Sequence, residues 1–183
     1  EWQRLGYPFD FLVPSYASAI GTSGDRPAAL AELIGIVLND GIYYPRSRVQ
    51  SLHFGQQTPY ETLMTLKPPR GERVLASETA KIVKQALIDV VEQGTAIRLR
   101  NAAVSPDGEH LVIGGKTGTG DHRHKTFGAG GELISSKVLN RTAVFVFFLG
   151  DDHFGTISAY VSGPDAADYE FSSSLPVTVL KML

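Results

Sequence analysis

Apolar residues recur at helical spacing in two places along the chain. Leu30, Leu33, Ile34, Val37 and Leu38 mark the first, with Asp25 and Pro27 ahead of them as capping residue and first-turn proline, and Gly41 just past the end. Ala80, Val83, Leu87, Val90 and Val91 mark the second, with Ser77 as its cap and Gly94 as its stop. Between them the pattern alternates. Residues 49–54 and 62–66 read as hairpin strands around Gly55-Gln56-Gln57, closed by Pro68-Pro69. The opening stretch to about Gly24, rich in Gly, Pro, Ser and aromatics, predicts an irregular packed loop. After a polar loop with a Ser105-Pro106-Asp107-Gly108 turn come three β-segments, at residues 111–119, 127–138 and 141–149. The last is apolar at successive positions, which marks an interior strand. Short connections predict an antiparallel meander with segment 111–119 on the outside. A closing helix beginning at residues 173–176 and carrying Val177, Leu180 and Leu183 would pack on that sheet. The fold class is therefore α/β (α+β), an antiparallel sheet with packing helices.

Composition narrows the partners. The chain has 183 residues, 43% of them hydrophobic, and a formal net charge of −2. That length suits one domain with a core. A nucleic-acid partner is disfavoured because no basic balance is present. With no cysteine, neither a disulfide nor a thiolate metal site can form. The longest apolar run, residues 143–149, is too short to cross a bilayer. The chain opens at Glu1-Trp2-Gln3-Arg4 rather than at methionine, so a fragment or mature product is expected, with any targeting element upstream.

Lys116-Thr117-Gly118-Thr119 is the segment that speaks of chemistry. It follows the short apolar run Leu111-Val112-Ile113-Gly114-Gly115. An ammonium beside threonine hydroxyls suits a carboxylate, and glycine lets a substrate backbone lie close to the strand. Gly115-Lys116-Thr117 also matches the end of a phosphate-binding loop. However, that motif needs glycine where His110 stands and a helix where 120–124 continue in a β pattern. Asp121, His122, Arg123 and His124 form a polar cluster just beyond. Two histidines and a carboxylate fall short of the three or four ligands of a metal site, so no metal is expected and a pocket rim is the reading. Gly128-Ala129-Gly130-Gly131 reads as a turn, and Asp151-Asp152 as a strand-end turn rather than a catalytic pair.

A Lys-Thr-Gly triplet leaving a β-run is one of three signatures of the serine penicillin-binding proteins and β-lactamases. Pro14-Ser15, Ala19-Ile20-Gly21-Thr22, residues 27–31 and Asn39-Asp40-Gly41 resemble the stretch after S-x-N in bifunctional, class A penicillin-binding proteins. Residues 73–77 and 90–96 resemble the segment before the Lys-Thr-Gly strand, and order and spacing agree from about Pro14 to Asp152. The resemblance implies residues 1–183 as the C-terminal part of one transpeptidase domain, with two further strands from the domain's beginning paired beside residues 141–149. The other two signatures are absent. The residues three places before the lysines are Met64, Glu78, Lys81, Ile113, His122, Ile134 and Thr178, none of them serine, and no serine stands two places before Asn39, Asn101 or Asn140. The nucleophile would therefore lie outside this chain.

By the same resemblance, the parent would be a peptidoglycan DD-transpeptidase outside the cytoplasmic membrane, anchored upstream. It would act on stem peptides ending in D-Ala-D-Ala, be inhibited by β-lactams and need no cofactor. Lys116 and Thr119 would be catalytic, with the Thr119 N–H as half of an oxyanion hole, and Thr117, Gly118 and Arg123 would bind substrate. The chain has Gly120 where many relatives carry Thr or Ser, and Phe127 where they carry an aromatic pair with tryptophan, departures that bear on substrate preference. Two other readings stay open, a degenerate relative that binds or scaffolds and an unrelated anion-binding domain.

Overall fold

A computed structural model describes residues 2–5, 16, 26–67 and 69–183. The expected cap Asp25, Pro68 and most of the stretch before Gly24 lie outside these residues. Helix α1, Pro27–Leu38, begins with its proline in the first turn, preceded by Arg26. It buries Ala29, Ile34, Gly35, Ile36 and Val37, a wider arc than the spacing of its leucines predicts. The reason is Gly35. A Cβ there would stand 2.8 Å from the Phe154 ring, so glycine lets the helix lie directly on that aromatic.

The chain leaves α1 through Asp40 and Gly41, both at positive φ (55° and 85°). Glycine is required at 41, where a Cβ would meet the Leu75 carbonyl oxygen at 2.2 Å. Asp40 then ties two elements together. Its carboxylate accepts the hydroxyl of Ser77 at 2.7 Å, and its carbonyl accepts Arg73 at 2.7 Å. Short strands β1 (Ile42–Tyr43) and β4 (Glu72–Arg73) pair antiparallel. Between them β2 (Ser51–Phe54) and β3 (Thr62–Thr65) form the expected hairpin, exposed at every position. Helix α2, Ser77–Glu92, starts on Ser77 itself rather than after it. Ala80 and Val91 are buried, whereas Val83, expected in the apolar stripe, is exposed.

The main sheet has three strands, β5 (Ile113–Phe127), β6 (Leu133–Leu149) and β7 (His153–Ser162), in the order β5-β6-β7 and all antiparallel. As expected, Lys116 lies on an outer strand and residues 141–149 are interior. Three details differ from expectation. β5 runs eight residues past Thr119, because the polar segment 120–127 pairs with the largely exposed first half of β6. The segments 127–138 and 141–149 belong largely to one strand, with a register shift opposite His122/Arg123 absorbing Leu139. Moreover, β7, which the pattern did not reveal, occupies the place beside residues 141–149 expected for strands from elsewhere.

Phe145 and Phe148, an odd number of positions apart on β6, point to opposite faces and are both fully buried. Phe145 packs with Val91, Leu99, Ile113 and Val177, the last from the closing helix α3 (Ser174–Met182). Phe148 lies under the ammonium of Lys84, 5.7 Å from the ring centroid, and opposite Phe154, on which α1 rests. Helices thus cover both faces, and among the described residues no strand pairs with the β5 edge.

Candidate active site

All four residues of Lys116-Thr117-Gly118-Thr119 lie on β5. Their peptide groups divide by position. Gly150 N–H donates to the Val112 carbonyl at 2.8 Å, and Ile113 faces Leu149 without exchanging bonds. In an antiparallel pair the bonded and non-bonded positions alternate. Lys116 and Gly118 therefore bond to β6, whereas the N–H and C=O groups of Thr117 and Thr119 turn outward. No described strand covers that edge.

The side chains sit around this row. Lys116 is exposed and its Nζ donates to the Thr117 carbonyl at 2.7 Å, which holds the ammonium over the open edge. A carboxylate would be a stronger acceptor than that neutral oxygen. Thr117 and Thr95 share a hydroxyl–hydroxyl bond of 2.7 Å. Thr119 Oγ1 accepts the backbone N–H of Ser173 at 2.8 Å, which satisfies a donor at the start of α3 and leaves the Thr119 O–H to donate elsewhere. In the sequence Thr95 and Ser173 stand only as part of a resembling segment and as a helix start, and nothing there marks either as a partner of the Lys-Thr-Gly row.

Arg123 stands apart. It is four residues beyond Thr119 on the same strand, about 13 Å along it. Its guanidinium donates to Asp121 at 3.2 Å, and Arg141 Nε donates to the other carboxylate oxygen at 3.1 Å. Hydrogen bonding from Arg141 foremost, with Arg123 adding to it, holds the Asp121 carboxyl below its ordinary 3.8. Arg141 also donates to the Tyr169 carbonyl. His122 turns to Asn140 at 3.2 Å, and among the described residues no three of His, Asp or Glu converge on a metal site. Lys116 sits inside a strand with no helix after it, so the phosphate-loop geometry is absent there. Gly128–Gly131 and Asp151-Asp152 are the turns of the β5–β6 and β6–β7 connections.

The family model for the penicillin binding protein transpeptidase domain matches residues 6–136. Solved structures share the fold. Penicillin-binding protein 1A from Haemophilus influenzae superposes with a TM-score of 0.62 at 20% identity, over 99% of this chain and 29% of that one. Penicillin-binding protein A from M. tuberculosis, in a ceftriaxone acyl-enzyme complex, gives 0.62 at 15% identity, over 98% and 41%. Penicillin binding protein 3 from the same organism, complexed with aztreonam, gives 0.54 at 20% identity, over 88% and 35%. The chain thus spans well under half the length of these proteins. No curated protein sequence matches it.

Proposed function

Because the chain belongs to the penicillin-binding protein transpeptidase family, we propose that it is the C-terminal part of a peptidoglycan DD-transpeptidase domain and supplies the Lys-Thr-Gly wall of its site. The observation that carries this reading is the row on the open edge. The Thr117 and Thr119 peptide groups face outward, with the Lys116 ammonium beside them. Substrate would add to this edge as a strand, its terminal carboxylate at Lys116 and the Thr117 hydroxyl. The scissile carbonyl would then lie at the Thr119 N–H, one half of an oxyanion hole whose other half is the N–H of the attacking serine.

No S-x-x-K occurs in this chain, so the serine would belong to a part of the domain beyond it. Its hydroxyl adds to the D-Ala-D-Ala carbonyl, the amide C–N bond breaks, and D-alanine leaves carrying a proton. An amine from a neighbouring stem peptide then takes the acyl group and frees the serine. Lys116 stabilises the substrate carboxylate and joins the proton relay. A β-lactam would enter by the same route and remain as the acyl-serine. The site would work outside the cytoplasmic membrane, where peptidoglycan lies.

Penicillin labelling followed by intact mass tests this. The 183-residue chain alone is expected to form no adduct, and the chain extended upstream through S-x-x-K and S-x-N to gain one penicillin per domain. In the extended protein Lys116→Ala should slow acylation by on the order of a hundredfold, the effect of removing one electrostatic stabiliser of ~3 kcal/mol. A stable adduct on the bare chain would overturn the placement of the serine. An extended protein that never acylates would assign the chain to a non-catalytic, binding relative.

A further inference from the structure

The strands of the β2–β3 hairpin pair only with each other, and all their positions are exposed. Its two faces differ. Leu52 and Phe54 lie on one, with Met64, the cross-strand partner of Leu52, and Leu66, whose N–H carries the ladder on to the Gln50 carbonyl at 3.0 Å. These four residues are 46–60% exposed. Leu63 and its partner His53 face the other way, and Tyr60, 85% exposed, stands in the connecting loop. A contiguous apolar face on an unsupported ribbon marks an interaction surface.

The base of the hairpin is basic. Residues 42–73 carry five Lys and Arg against two Glu, a net +3 in a chain whose whole charge is −2. The acids around it are already matched. Glu61 is held by His53 at 2.6 Å, Glu72 by Arg4 at 3.9 Å and Glu32 of α1 by Arg46, while Arg73 turns to Asp40. Arg48, Lys67 and Arg70 are left without an ion pair among the described residues. Arg48 and Lys67 also border an open cavity of about 560 Å³ with Val49 and Leu66, so cationic and apolar surface meet there.

We propose that this hairpin docks on an anionic lipid bilayer, with its apolar face at the boundary of headgroups and acyl chains and with Arg48, Lys67 and Arg70 on lipid phosphates. Buried apolar area drives such docking, and unpaired cations near a negative surface add to it. Their long stems follow apolar surface while the charged ends reach the headgroups. A second copy fits this face less well, because a two-fold contact would bring the same three cations together. A protein groove would cover one face and leave Leu63 and Tyr60 in water, whereas a fluid interface also admits them at the end of the ribbon. The proposal does not depend on the Lys-Thr-Gly row.

Sedimentation of the intact 183-residue chain with lipid vesicles tests this. The chain is expected to bind vesicles of equal parts phosphatidylglycerol and phosphatidylcholine on the order of a hundredfold more tightly than pure phosphatidylcholine, about fivefold for each of the three cations. Arg48→Gln with Lys67→Gln should weaken binding about twentyfold, and Leu52→Ser with Phe54→Ser on the order of tenfold. All four residues are exposed, so both double variants should melt with the parent. Because the chain has no cysteine, an environment-sensitive fluorophore on Phe54→Cys reads insertion directly, as a blue shift when vesicles are added. No binding to the anionic vesicles, or binding that survives both double variants, would overturn the proposal. Binding that needs the cations but ignores Leu52→Ser with Phe54→Ser, without a blue shift, would make this a surface for soluble polyanions instead. Self-association that Leu52→Ser with Phe54→Ser abolishes, in a chain that leaves vesicles unbound, would give the face to a second copy.

Discussion

Alanine at Gly115 is expected to be a strongly damaging single-methyl change on β5. The added Cβ would stand 2.4 Å from the Val146 carbonyl oxygen and 2.5 and 2.7 Å from the Phe145 ring. The first neighbour is backbone of the central strand and cannot turn aside. The second is fully buried and has no free space to enter. Two glycines on the same strand serve as graded controls. At Gly118 the Cβ meets only a Val144 methyl, at 2.8 Å, and at Gly120 it meets nothing within 4 Å.

Overpacking of a filled site costs ~1–3 kcal/mol, so Gly115→Ala should lie near ~3 and Gly118→Ala near ~1. Gly120→Ala should gain ~0.4–1 kcal/mol, because alanine restricts the unfolded chain at a position where the fold tolerates it. For a chain of this length each kcal/mol moves Tm by about 2–4 °C. Gly115→Ala should therefore melt about 6–12 °C below the parent and Gly120→Ala slightly above it. Thermal and urea unfolding by circular dichroism would measure this, an unchanged urea slope confirming that stability alone has moved. Equal losses at 115 and 120, or a Gly115→Ala protein melting with its parent, would refute the steric account of why β5 lies so close to β6.

Three further changes probe other parts of the fold. Phe145→Ala empties the centre of the cluster with Leu99, Ile113 and Val177 and should cost ~3–5 kcal/mol by urea titration. Asp121→Asn tests linkage. The carboxyl is held below 3.8, so its contribution is full above that value and is lost as pH falls through the folded value; the parent's advantage over the variant should persist at pH 6 and shrink below about pH 4, and an advantage unchanged at pH 3 would contradict it. Thr156 Oγ1 is buried and finds no partner among the described residues, so Thr156→Val should stabilise by ~1–2 kcal/mol, and a loss would reveal a partner for the hydroxyl.

The helices and the edge position of Lys116 were legible because burial writes itself as periodicity, and because β5 opens on an apolar run. Where the strand ends was not, since residues 120–127 and their partners in β6 are mostly polar and exposed, and pairing between polar strands leaves no hydrophobic trace. β7 was hidden by Gly155, Ser158 and Ser162. Yet Gly155 suits the packing, since a Cβ added there would stand 3.3 Å from the Phe147 ring. Val83 failed as a core residue because spacing records which face is apolar and not what covers it. The row 116–119 was readable as a contiguous motif, whereas Thr95, Ser173 and Arg141 reach it or Asp121 by single hydrogen bonds spanning 22, 54 and 20 residues.

On the transpeptidase reading, the bond from Lys116 Nζ to the Thr117 carbonyl makes carboxylate recognition and strand addition one event. That carbonyl is an outward group of the open edge and so the natural acceptor for a substrate N–H. A peptide that adds to the edge displaces the ammonium from the carbonyl, at the place where the peptide's own terminal carboxylate can take it. Each contact helps form the other, and a ligand offering only one should lose more than that one contact. Paired peptides ending in D-Ala-D-Ala as free acid or as carboxamide measure this. The acid should bind more tightly to the parent by on the order of tenfold, the scale of one charge-assisted bond. In Lys116→Met the carbonyl is left open, so the carboxamide should bind at least as well as it does to the parent while the preference for the acid disappears. A Lys116→Met protein that keeps that preference would place the carboxylate elsewhere and break the coupling.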